Sequence, residues 1–179
     1  MRIFRFLFAA LVLAGLSACT TMSPSECKLA NWYDVGLRDG LAGEPLSQLD
    51  SRTKDCAEAG VPVNTVPYLQ GRDQGLQSFC QLDNAVKLGL DGRSYNGVCP
   101  AFIDGEFRRR RDLGYEVYSA RGQLRSLESR RRELEKKLRD AANDDDRRKA
   151  REELSDLDQR FRRARDRQRD AEWALDRLR

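Results

Sequence analysis

The chain contains no histidine among its 179 residues. That absence removes the commonest general base, the Ser-His and Cys-His nucleophile pairs, and the usual nitrogen ligands of a catalytic zinc. Phosphate-cradling loops are missing too, since neither GxGxxG nor GxxxxGK[ST] occurs. Nor is there any CxxC pair, which weighs against a zinc site built from four thiolates. With these parts absent, the expectation is a protein that is not an enzyme, with no cofactor, no metal site and no catalytic residue.

What is present begins at the N-terminus. Arg2 and Arg5 give a short positive start, and an apolar run follows from Phe6 to Leu16. The segment closes with Leu16-Ser17-Ala18-Cys19. A charged start, a short apolar middle and small residues at the end describe a secretory signal peptide, too short for a permanent membrane span. Its last four residues resemble the lipobox of bacterial lipoproteins. The resemblance implies cleavage of residues 1–18 and acylation of Cys19, a diacylglycerol and palmitate anchor that holds the chain to a membrane. Several acyl chains on one residue anchor stably where one would be marginal. Thr20 stands where an Asp would signal retention at the inner membrane, so the expected place is the periplasmic face of the outer membrane. A short tether, residues 19–26, would follow.

With Cys19 lipidated, Cys27, Cys56, Cys80 and Cys99 remain, an even number in an oxidising compartment. Two disulfides are expected, each worth about 2–4 kcal/mol in a small domain. Four cysteines allow three pairings. Cys27–Cys56 with Cys80–Cys99 is favoured because each bridge closes a short local loop.

A motif recurs in the region from residue 27 to 105. Tyr33-Asp-Val-Gly36-Leu-Arg-Asp-Gly40-Leu41 and Tyr68-Leu-Gln-Gly71-Arg-Asp-Gln-Gly75-Leu76 both read Tyr-x-x-Gly-x-x-x-Gly-Leu. A degraded third echo lies around Gly89, Gly92 and Tyr95. On helices, glycines at i and i+4 share one face. Each costs about 0.8–1 kcal/mol relative to alanine, so close backbone approach between packed helices is the natural offset. The alternative is a ligand face, with Tyr33, Gly36, Gly40, Tyr68, Gly71 and Gly75 as its floor and Arg38, Asp39, Arg72 and Asp73 as its polar groups. Ser51 to Ala59 reads as another helical turn or two.

The ordered set Trp32-Tyr33-x-x-Gly36-x-x-Asp39-Gly40-x-x-Gly43, then Cys56, then Tyr68-x-x-Gly71-x-x-x-Gly75-Leu76-x-x-Phe79-Cys80, then Gly89-x-x-Gly92-x-x-Tyr95-x-Gly97-Val98-Cys99-Pro100, resembles the DUF2799 family of bacterial lipoproteins. The resemblance covers about residues 27–118. It implies a cysteine-containing envelope domain and no particular reaction.

Charge changes sign along the chain. From Thr20 to Glu106 there are 7 basic and 12 acidic residues; from Phe107 to Arg179 there are 24 and 17. In the second stretch Leu113, Val117, Ala120, Leu124, Leu127, Arg131, Leu134, Leu138 and Ala141 alternate spacings of four and three. Ala150, Leu154, Leu157, Phe161, Ala164, Gln168, Ala171, Leu175 and Leu178 repeat the pattern out of phase. Both are coiled-coil seams. Asn143-Asp144-Asp145-Asp146 between them can end one helix and cap the next.

The expected fold is mainly α: a small disulfide-stapled helical domain, residues 27–105, followed by a long antiparallel coiled-coil hairpin, residues 106–179. A continuous self-associating helix is the competing arrangement for the tail, and the oligomeric state stays open. The expected role is a lipid-anchored envelope module that presents a charged arm to a protein or an anionic envelope polymer. The alternative role is a periplasmic ligand- or glycan-binding domain that uses the tyrosine and glycine faces. Nucleic acid is disfavoured as a partner by the compartment.

Overall fold

The computed structural model describes residues 21–178; the expected signal peptide, Cys19 and Thr20 lie outside the described residues. Within them the chain is helical, with no strand. The helices are α1 Pro24–Leu29, α2 Trp32–Ala42, α3 Ser47–Glu58, α4 Thr65–Phe79, α5 Leu82–Leu90, α6 Ala101–Asp140 and α7 Asp144–Asp176. They form two compact units that divide between Phe79 and Cys80.

The first unit starts with strong local signals. Ser23 and Glu26 make a reciprocal capping box on α1, each side chain accepting from the other's backbone N–H at 3.3 and 2.7 Å. Asn31 caps α2 by accepting from the Tyr33 N–H at 3.2 Å, and Gly43 ends that helix at a φ of 71°. Helix α3 is longer than the turn or two read from Ser51 onward. It begins at Ser47, two residues after Pro45, with Leu49 and Cys56 buried.

Helices α2 and α4 carry the repeated motif and pack against each other at backbone distance. A Cβ added to Gly36 would sit 1.9 Å from the Tyr68 carbonyl oxygen, and one added to Gly71 would sit 2.0 Å from that of Tyr33. Gly40 meets the Arg72 carbonyl at 2.2 Å, and Gly75 meets that of Leu37 at 2.4 Å. Contacts advance together along both helices, so the two run parallel. They are also reciprocal: shifting each residue by the 35-residue repeat converts the first pair of contacts into the second. The duplication in sequence has become a pseudo-twofold helix pair. The rest of this core is Met22, Cys27, Trp32, Val35, Leu49, Cys56 and Tyr68, and the Cys27–Cys56 disulfide ties α1 to α3 through it.

The second unit repeats the device once. In α5, a Cβ on Gly89 would lie 2.0 Å from the Arg111 carbonyl of α6, with the Gly114 Cα 2.9 Å away. The Cys80–Cys99 disulfide and the ring of Tyr95, 4.7 Å from that of Phe107, close the base of this unit. The Tyr95 hydroxyl donates to Asp104 at 2.5 Å and accepts from the Cys99 N–H at 2.9 Å. Burial, then the neighbouring Asp104 carboxylate, pushes the Tyr95 phenol up to about 12. Both disulfides are the local pairs, and the tetrathiolate alternative falls with them.

This packing moves the expected boundary. Residue 105 is no break, because α6 starts at Ala101 and its base is the partner of α5. The third glycine echo therefore belongs with the arm.

Helix α6 is 40 residues long, about 60 Å at 1.5 Å per residue, and its distal part pairs with α7. Arg121 reaches Glu172 at 2.9 Å and Arg130 reaches Glu153 at 2.9 Å. The later residue of α6 thus meets the earlier one of α7, and the hairpin is antiparallel. Asn143 caps α7, accepting from the Asp146 N–H at 2.9 Å, and Asp144, Asp145 and Asp146 stand in the first turn, where the helix dipole favours them. Both seams are buried or half-buried at every position except Arg131. That arginine turns outward to Glu135 at 2.9 Å.

Two substitutions test these points by chemical denaturation. Gly36→Ala should cost at least about 3 kcal/mol, because a methyl must displace a backbone carbonyl. Gly105→Ala, where nothing lies within 4 Å of the added Cβ, should gain about 0.5–1 kcal/mol from helix propensity. Equal effects at the two sites would contradict the packing. In the seam, Arg131→Leu should stabilise the hairpin by about 1 kcal/mol by adding apolar cover beside Leu157.

Candidate functional site

The polar centre of the first unit is Asp39, 4 % exposed on α2. Arg52 of α3 grips it with a fork, Nη2 to Oδ1 at 2.6 Å and Nε to Oδ2 at 2.9 Å. The Tyr68 hydroxyl of α4 donates to the same Oδ2 at 2.7 Å. Three helices are thereby tied at one carboxylate, and its acceptor capacity is largely taken. Burial, then the hydrogen bond to Asp39, drives the Tyr68 phenol well above its ordinary range. For Arg52, burial works against the charge, but the hydrogen bond and charge of Asp39 outweigh it and hold the guanidinium firmly ionised. The triad therefore holds structure together; it offers neither a free base nor an activated nucleophile.

Beside the triad lies an open depression of about 770 Å³, with Met22, Leu29, Asp34, Arg38 and Arg52 among its lining residues. Arg38 turns its Nε back to the Asp34 carbonyl at 3.3 Å. One wall of the depression is the start of the described chain. Asp55 of α3 accepts from the Thr21 N–H at 2.6 Å, the Thr21 hydroxyl at 2.7 Å and the Met22 N–H at 3.3 Å. The Thr21 hydroxyl first, then its N–H, lower the Asp55 pKa. A lowered carboxylate stabilises above its unfolded pKa, and the contribution is lost as pH falls through the folded one. This clasp is a neutral-pH feature that strong acid releases.

The structure sorts the sequence candidates. Gly36, Gly40, Gly71 and Gly75 lie face to face with backbone between them, so their shared face is a packing surface. Tyr68 is fully buried, whereas Tyr33 bonds outward to Gln74 through its hydroxyl. Arg72 is buried and donates to the Glu44 carbonyl at 2.8 Å; its Nε has no partner among the described residues. Asp73 is exposed, whereas Asp39 is buried. Cys27, Cys56, Cys80 and Cys99 are all in disulfides. Cys19 lies outside the described residues. Sequence reasoning missed Arg52 and Asp55, whose only local signal is a place on a polar helix, and Gly114, a small residue just after the seam position Leu113.

Residues 31–116 match the family model described as Protein of unknown function (DUF2799). The match runs from the cap of α2 into α6 and takes in the glycine contacts of both units. The chain is also 32% identical over 69 residues to "Uncharacterized protein YfiL" of Escherichia coli (strain K12), which covers 38% of this chain and 52% of that protein. It thus spans about half the length of the curated relative it matches. No solved structure matches.

Removing the carboxylate should expose how far the triad governs stability. Asp39→Ala should destabilise by about 3 kcal/mol, because it leaves a poorly hydrated guanidinium without its partner. Adding Arg52→Met should recover part of that loss in a double-mutant cycle. Additive losses would mean that the two residues act separately.

Proposed function

We propose that this chain, a member of the DUF2799 family through residues 31–116, is a lipid-anchored protein of the bacterial cell envelope that acts as an interaction module. In this reading Cys19 carries the lipid, the protein sits on the periplasmic face of the outer membrane, and it performs no catalysis. The hairpin of α6 and α7 is the surface offered to an envelope partner.

The observation that carries the reading is the clasp on the tether. Asp55 accepts two hydrogen bonds from Thr21 and one from Met22, so Thr20 alone separates Cys19 from held backbone. A lipid on Cys19 would hold the first unit directly against the bilayer instead of leaving it on a loose leash. Two features support the same reading. The disulfides suit an oxidising compartment. No helix among the described residues is long and apolar enough to cross a membrane, which is what attachment through a lipid alone requires. For the arm, the support is its surface: beyond the exposed rings of Phe102, Tyr115, Tyr118 and Trp173 at its base end, the large apolar residues lie in the seam and the outside is mostly charged. Such a surface suits electrostatic association better than burial in a permanent complex.

Replacing Cys19 with serine should move the protein from the membrane to the soluble fraction while leaving its thermal unfolding unchanged. Membrane fractionation like that of the unsubstituted chain would remove the anchored reading. Photocrosslinkers on exposed arm positions should capture a consistent envelope component from intact cells. Capture of bulk lipid alone would remove the arm's role.

A further inference from the structure

The positive charge of the arm is not spread along it. The tip, residues 128–158, holds ten basic and eleven acidic residues. The level below it, residues 119–127 of α6 beside 159–169 of α7, holds eight arginines, no lysine and one acidic residue, Asp166. Nearly all the excess charge of the hairpin sits in this short band.

Along one flank the band is concave. Gln123, Ser126 and Leu127 of α6 face Arg160, Arg163 and Arg167 of α7 across a groove of about 540 Å³. A second depression of about 430 Å³ shares Gln123 and Arg167 and continues toward Tyr115 and Ser119, with the carboxylates Glu116 and Asp170 also on its lining. From Tyr115 to Ser126 the groove runs about 16 Å at the helical rise.

Coiled-coil stability does not explain this flank. Two arginines of the hairpin meet a carboxylate on the opposite arm, Arg121 with Glu172 and Arg130 with Glu153, and most other ion pairs run along one helix. Here the opposite wall is glutamine, serine and leucine, and the one carboxylate of the lining, Asp156, lies on the arginines' own helix. Arg160 pairs with Asp156 of its own helix, whereas Arg163 and Arg167 pair with no carboxylate among the described residues. Like charges three and four residues apart work against the helix that carries them. The arrangement makes sense when an outside anion completes it.

We propose that this groove binds an extended anionic glycan, with Arg160, Arg163 and Arg167 engaging its acidic groups. The proposal rests on the reading of the arm as a partner surface and names the class of partner. Arginine forks match carboxylate and phosphate geometry, and neutral serine and glutamine walls suit hydroxyl groups. Tyr115, 40 % exposed, marks the base end of the groove, with the Arg111 guanidinium over its ring at 4.7 Å. A folded protein partner would be expected to meet an apolar centre. The large exposed apolar side chains of this unit, Phe102, Tyr115, Tyr118 and Trp173, all lie outside the band. Single-stranded nucleic acid binds by stacking bases on exposed rings. Phe161, the band's aromatic, is held in the seam beneath the Arg165 guanidinium.

The test uses the full mature chain and a galacturonate hexamer, with a thymidine oligonucleotide and phosphatidylglycerol vesicles as competing anions. The hexamer should bind, and binding should weaken with salt. R160Q/R163Q/R167Q should reduce affinity roughly tenfold, three modest charged contacts together. R132Q/R139Q/R151Q removes equal charge outside the band and should change affinity less than twofold. Circular dichroism should show both variants fully helical. Equal losses in the two triple variants would overturn the groove, and tighter binding of the oligonucleotide or the vesicles would overturn the glycan. Either result leaves the Cys19 fractionation and arm crosslinking unaffected, so this proposal can fail while the anchored module stands.

Discussion

Close approach of helix backbones is the constraint from which the rest of the structure follows. At Gly36, Gly40, Gly71 and Gly75 the two copies of one motif come so near that any side chain would overlap a carbonyl oxygen. Once α2 and α4 are in that register, Tyr68 has no room to leave the core and its hydroxyl must meet Asp39. Asp39, buried, then needs a cation, and Arg52 of α3 supplies it. The Cys27–Cys56 disulfide draws α1 onto α3, and Asp55 on the same helix secures the chain at Thr21. A face that could have been read as a ligand platform is therefore spent on packing.

The second unit meets the same need differently. Gly89 and Gly114 let α5 lie against the base of α6, and the Cys80–Cys99 disulfide secures the loop between them. That short contact fixes one end of a helix whose remainder has a single packed seam. Along the arm the apolar stripe is narrow, small residues such as Ala120, Ala150, Ala164 and Ala171 are buried in it, and cross-arm ion pairs flank it. Surface pairs of this kind contribute little each, about 0.2–1 kcal/mol, so the seam carries the hairpin and the charges remain free for other uses.

Much of this was legible from the residues. The 35-residue repeat foretold a glycine face, the four-three spacing foretold both arms, and Asn143 with its following aspartates marked the turn. Loop length favoured the local disulfide pairing, one of three that four cysteines allow. The reading failed where long-range geometry decides. Gly114 lies inside a heptad pattern and gives no hint that α5 will cover it, so the boundary was set near residue 105. Arg52 and Asp55 look like ordinary polar positions on a surface helix until α3 is placed beside the tether and Asp39.

The sequence by itself determined that the fold is helical, which faces carry glycine or leucine, and where the tail's two seams lie, because periodicity and capping act within a few residues. Tertiary structure alone decided that the repeated motif forms a parallel reciprocal pair and that Asp39 is satisfied from two other helices. It also decided that the excess arginines gather beside a neutral wall. These outcomes depend on which groups meet across tens of residues, and burial and charge pairing take their values only once those meetings are fixed.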